Sequence, residues 1–144
     1  MQEFKYPDAI MRNYQRKPLK RRFRHNKYHA HKIIADGHKF DSKAEFAYYN
    51  LLKLEHKHFK CHPRFEILPH SKWNQKHNYT PDFCLYDGQG HLTEVDDIKG
   101  VSMVPAYDHL RMDLFSRKYH IPVTIVRKKG NHFVKKQRKT YSNS

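Results

Sequence analysis

YTPDFCLYDGQGHLTEVDDIKG, residues 79–100, decides how this chain folds. Two runs of strand-forming residues, 79–87 and 91–99, flank Asp87-Gly88-Gln89-Gly90, a loop composition that turns one strand back on the next. The stretch predicts an antiparallel hairpin. Side chains alternate across a strand, so Val95, Asp97 and Lys99 share one face while Glu94, Asp96 and Ile98 take the other. Pairing carries Asp82 toward Asp97. Like charges about 4 Å apart repel by roughly 4 kcal/mol at an effective dielectric near ~20, so such carboxylates need a proton, a cation or water. A hard divalent cation such as Mg2+ is the oxygen-seeking solution. Lys99 beside it would orient or deprotonate a water, or stabilise charge developing on a phosphate. A bulge in the strand would exchange the roles of Asp96 and Asp97.

Outward from the hairpin, strands and helices alternate. HKIIADGHKF (31–40) predicts a short hairpin turning at Asp36-Gly37. SKAEFAYYNLLKLEHKHF (42–59) predicts a helix capped by Asp41 or Ser42, with Ala44, Ala47, Tyr48, Leu51 and Leu52 as its buried stripe. RFEILP (64–69) reads as a strand. PAYDHLRMDLFSRKYH (105–120) reads as a second helix opened by Pro105, and IPVTIV (121–126) as a strand buried on both faces. The expected architecture is an α/β or α+β layer domain, a mixed sheet with helices packed on it.

Charge is the strongest compositional signal: 29 Lys and Arg against 14 Asp and Glu give a formal net charge of +15, which favours a polyanionic partner and above all nucleic acid. The basic residues cluster at the ends. RKPLKRRFR (16–24), with Lys27 shortly after it, and RKKGNHFVKKQRK (127–139) nominate Arg16, Lys17, Lys20, Arg21, Arg22, Arg24, Lys27, Lys128 and Lys129 as phosphate contacts. The expected division is a basic arm over 1–27, a core over 28–127 and a basic tail over 128–144. No apolar run approaches a membrane span and no signal peptide opens the chain, so a cytoplasmic protein with no membrane partner is expected. Cys61 and Cys84 sit in unrelated segments and read as reduced thiols.

Pro81-Asp82 followed by Asp97-x-Lys99 resembles the motif of the PD-(D/E)XK nucleases, with Glu45 on the preceding helix as a further acid. The stretch KYHAHKIIADGHKFDSKAEFAYY (27–49), with YTPDF and DDIKG after it, is similar to a phage and prophage family of small proteins in that superfamily. The likeness runs from Asn26 to about Val126, and its layout is similar to that of Holliday-junction resolvases. It implies a restriction-endonuclease-like fold and a Mg2+-dependent DNA endonuclease of phage or prophage origin, acting in the cytoplasm of a bacterial host, with Mn2+ substituting. It further implies that Asp82, Asp97, Glu45 and the Ile98 carbonyl hold metal, and that Lys99 serves the nucleophile. Branched DNA is the expected substrate and a homodimer the expected state, since symmetric nicks need two active sites. The alternatives are a nicking or linear-DNA endonuclease of the same superfamily, or a non-catalytic DNA-binding accessory protein. Asp97 stands where many of these nucleases carry Glu.

Several residues have plainer readings. Ser42-x-x-Glu45 is a capping box, in which the glutamate bonds back to the helix start. Asp97 with Lys99 would otherwise be an exposed ion pair worth at most ~1 kcal/mol. Cys61-His62, His56-x-His58 and His29-x-His31 lack the paired spacing of a structural zinc site and read as surface histidines of a basic protein. Trp73 either stacks on a nucleotide or plugs the sheet edge.

Overall fold

A computed structural model describes residues 32–139. The 1–27 arm, with Arg16, Lys17, Lys20, Arg21, Arg22, Arg24 and Lys27, lies outside the described residues. Strands β1 (Ile33–Ala35) and β2 (His38–Phe40) form the first hairpin. Asp36 (φ 51°) and Gly37 (φ 77°) make its two-residue turn, where the left-handed backbone matches the twist of the flanking strands. Helix α1 (Lys43–Leu54) follows, with Ser42 as N-cap. It stops short of the expected 59 because His56 turns left-handed (φ 53°) and the next residues join the sheet as β3 (His58–Cys61).

Strands β4 (Phe65–Leu68) and β5 (His77–Tyr79) pair with each other. The expected strand 79–87 is therefore divided. Pro81 has no N–H to give a ladder, and pairing resumes at β6 (Phe83–Tyr86). Strand β7 (Leu92–Lys99), helix α2 (Ala106–Tyr119) and strand β8 (Val123–Lys129) form a parallel crossover. Strand β9 (His132–Gln137) returns antiparallel to β8.

The main sheet runs β3-β6-β7-β8-β9, antiparallel except at β7 with β8. The expected class, mixed α/β with two helices on a mixed sheet, holds among the described residues. Helix α1 covers one face through Tyr48, Tyr49 and Leu52 packed on Phe83, Leu85 and Val126. Helix α2 covers the other through Met112 and Phe115 packed on Cys84, Val95 and Val123. Full burial of such a side chain contributes about 1.5–3 kcal/mol, so the two clusters fix both helices and hence the sheet end between them.

The tail expected from 128 onward needs correction. Lys128 and Lys129 end β8, and Gly130-Asn131 turns the chain into β9, with Arg127 opposite Val134 and Lys128 opposite Phe133. Phe133 supplies the apolar anchor against the Tyr48 cluster. Lysines on an edge strand discourage pairing with other chains, so a strand here carries the composition of a tail. No described helix is long and apolar enough to cross a membrane.

Candidate active site

Asp82 sits at the break that Pro81 makes, and β6–β7 register, with Phe83 opposite Asp96, sets it across from Asp97. Its Oδ2 accepts the Ile98 N–H at 2.7 Å. A cavity of about 330 Å³ opens at this end of the sheet, lined by Glu45, Asp82, Asp97, Ile98, Lys99 and Arg111 among others. All four residues expected to be catalytic thus reach one cavity. Burial, then the charges of Asp97 and Glu45, push the Asp82 carboxyl up to about 8.

Asp97 is anchored on both oxygens. Tyr79 OH donates to its Oδ2 at 2.7 Å and Lys99 Nζ lies 3.1 Å from its Oδ1. Lys99 also reaches Asp108 Oδ2 on α2 at 3.2 Å. Burial pulls the Lys99 ammonium down, but Asp97 and Asp108 outweigh it and hold the group above its ordinary value. Burial and then the Asp97 charge push the Tyr79 hydroxyl far above its ordinary value, so it remains a donor. A protonated Lys99 accepts no proton; it can orient a water or stabilise anionic charge.

Glu45 satisfies both readings of its position. Its N–H donates to Ser42 Oγ at 3.1 Å and its Oε2 accepts the N–H of Asp41, the residue before the N-cap, at 3.0 Å, a capping box shifted by one residue. Its Oε1 meets His62 Nε2. Glu45, His62 and Asp82 each offer a ligand atom, and the three atoms lie within 4.8 Å of one another. The set fits a divalent cation: with Asp97, three carboxylates converge where the lining cations are Lys99 and Arg111. Asp97, expected as a direct ligand, is engaged by Lys99 and Tyr79, and Ile98 enters through its N–H to Asp82.

Asp96 is not part of the cavity. It lies on the α1 face, fully buried, accepting from Tyr48 OH at 2.5 Å. The one shift in β6–β7 register falls between Leu85 and Tyr86, so it leaves the faces of Asp96 and Asp97 as ideal pleating sets them. Lys128 and Lys129 are exposed and point to opposite faces of β8. Trp73 is 84% exposed in the loop between β4 and β5, with Lys72 Nζ 4.6 Å from its ring, and so plugs nothing.

Sequence reasoning missed four contributors. His62 was set aside with the other histidines, and no spacing marks it. Tyr79 carried a weak signal, an aromatic two residues before the Pro81-Asp82 break. Asp108 and Arg111 sit three apart on α2, on the face toward the site. The Arg111 guanidinium lies 5.8 Å from the Tyr79 ring and 5.3 Å from the Tyr107 ring, and its buried Nε has no partner among the described residues.

A family described as "Protein of unknown function (DUF1064)" matches residues 25–138. The chain belongs to that family. Nothing among the curated proteins or the solved structures matches it.

Proposed function

We propose that this chain is a divalent-metal-dependent nuclease of the PD-(D/E)XK kind that hydrolyses DNA phosphodiesters. One observation carries the reading: Glu45, Asp82, Asp97 and Lys99 come from a helix, a strand break and a central strand, yet line a single open cavity. Asp96, which accepts from Tyr48 on the α1 face, lines no part of that cavity.

Each side chain then has a role. Glu45 and Asp82 would hold the cation, with Asp97 close by. Held there, a divalent cation supplies Lewis acidity toward a phosphoryl oxygen and acidifies water. Lys99, kept as ammonium by Asp97 and Asp108, orients the attacking water or neutralises charge on the phosphate. Arg111 lines the same cavity and offers its guanidinium to a phosphate oxygen. As water oxygen bonds to phosphorus it releases a proton to solvent, the bond to the sugar oxygen breaks, and that oxygen takes up a proton from solvent. The basic surface supplies phosphate contacts and with them most of the affinity.

The preferred substrate is branched DNA, cut by a homodimer. The test incubates the purified chain with linear, flapped and four-way DNA, with and without Mg2+ or Mn2+. The reading expects metal-dependent cleavage that Asp82→Asn removes. Equal DNA binding with and without metal, and no cleavage of any of the three, would overturn it in favour of a binding protein.

A further inference from the structure

We propose that His62 is a ligand of the cation site, placing an imidazole nitrogen beside the Glu45 and Asp82 carboxylates, so that the site selects Mn2+ and later first-row ions over Mg2+. The inference rests on the nuclease reading only for there being a cation to hold.

Local structure aims His62 at this role. It follows β3 directly, and its N–H donates to the Asp82 carbonyl at 2.9 Å, tying the two residues across the sheet. Its φ of 51° lies in the left-handed region, which costs a non-glycine residue roughly 1–2 kcal/mol. The ring leaves the line of the strand there and turns toward Glu45. Phe40 and Phe83, with ring centroids at 5.9 and 6.4 Å, flank the imidazole and limit its rotation.

The three donors share a design. Glu45 has one oxygen on the Asp41 N–H and the other at His62 Nε2. Asp82 has one oxygen on the Ile98 N–H and the second to offer. His62 is held through its backbone and presents Nε2. A simple Glu45–His62 ion pair would account for their contact but not for Asp82 as a third donor within the same 4.8 Å.

Ligand chemistry gives the selectivity. Mg2+ takes oxygen donors and keeps much of its water, whereas imidazole suits first-row transition metals and affinity rises from Mn2+ toward Cu2+. A site of one nitrogen and two carboxylates therefore gains little for Mg2+ from His62 and more for Mn2+.

The full-length protein is titrated with Mn2+ alone and followed by electron paramagnetic resonance; the bound ion is then probed by electron spin echo. Imidazole nitrogen modulation is expected in the wild-type protein and should vanish in His62→Ala. Mn2+ affinity should fall by at least the roughly 10-fold that loss of even an outer partner costs. Mg2+ affinity, read by calorimetry, should move by less than about threefold, since Mg2+ favours oxygen. His62→Gln keeps a hydrogen-bond donor for Glu45, and its spectrum decides the matter if His62→Ala misfolds. Bound Mn2+ with no nitrogen modulation, or with modulation that survives in folded His62→Gln, overturns the inference and leaves the nuclease reading standing. Modulation lost in His62→Gln, with no cleavage of any DNA by the wild-type protein, would do the reverse.

Discussion

Asp96 and Asp97 are adjacent in the sequence and opposite in fate. Each accepts from a tyrosine hydroxyl, Asp96 from Tyr48 at 2.5 Å and Asp97 from Tyr79 at 2.7 Å. Beyond the tyrosine the two faces differ. Asp97 has Lys99 at 3.1 Å and opens on a cavity with Asp82. Asp96 has Lys135 only at 4.0 Å, and its Oδ1 has no partner among the described residues. Burial, and then the nearby Glu94, push its carboxyl up to about 7. Asp96 is pressed toward neutrality under a helix, whereas Asp97 sits beside an ammonium at the cavity. Charge density along the sequence is thus a poor guide until the pleat divides it.

The largest expected effect breaks the pair apart. Asp97→Ala should reduce metal-dependent cleavage by more than about 10⁴-fold, through loss of the carboxylate and of the Lys99 position together. DNA affinity should hold or rise, because a charge that repels phosphate is gone. Asp96→Asn should leave cleavage within about threefold, as expected away from the reacting groups. Similar losses in the two variants would erase the distinction between the faces. Lys99→Ala comes next, with cleavage down by roughly 10²–10⁴ and affinity little changed. Matching losses of rate and affinity would instead make Lys99 a plain phosphate anchor.

The same two faces show what a sequence can carry. The hairpin at Asp36-Gly37, both helices and the alternation over 92–99 were legible, because each is a local pattern of period or turn chemistry. Strands β3 (HFKC), β5 (HNY) and β9 (HFVKKQ) were not. All three are short and carry polar residues, which hides the strand period; β3 is in addition defined by a partner far along the chain, as His58 is by Tyr86, whereas β5 and β9 pair with the strand just before them. Asp82, Asp97 and Lys99 were legible because the pleat and one hairpin relate them. His62 was not, since only the long-range pairing of β3 with β6 brings it to Asp82.

Stability against pH offers a milder test of both faces. Asp96 and Asp82 have folded-state values raised above the ordinary carboxylate value, to about 7 and about 8. The folded protein then binds protons that the unfolded chain has released. The contribution of each is fully present below about pH 4 and lost as pH rises through the folded value. In chelator, the thermal midpoint should fall between pH 5 and 8 by at least about 4 °C, what 1 kcal/mol moves a domain near this size. Divalent metal should remove the Asp82 share of that slope, and Asp96→Asn the rest. A slope that metal abolishes in full would mean that Asp96 titrates like an exposed acid.

The smallest effect separates two neighbouring lysines. Cross-strand register sets Asp97 beside Ile125 and Lys136, and Lys99 beside Arg127 and Val134. Side-chain alternation then places Lys129 on this same face and Lys128 on the α1 face, opposite Phe133. A DNA strand entering the cavity would cross β8 and β9 on the Lys129 and Lys136 side, where Arg127 is already occupied by the Gly100 and Ser102 carbonyls. Lys129→Ala and Lys136→Ala should each weaken DNA binding a few-fold and reduce the log–log salt slope by about 0.9 on duplex. Lys128→Ala removes the same formal charge from the same strand, so it controls for the long-range field of the protein. It should lower affinity less and leave the slope nearly unchanged. Equal effects at 128 and 129 would mean that the field, and not a track on one face, holds the nucleic acid.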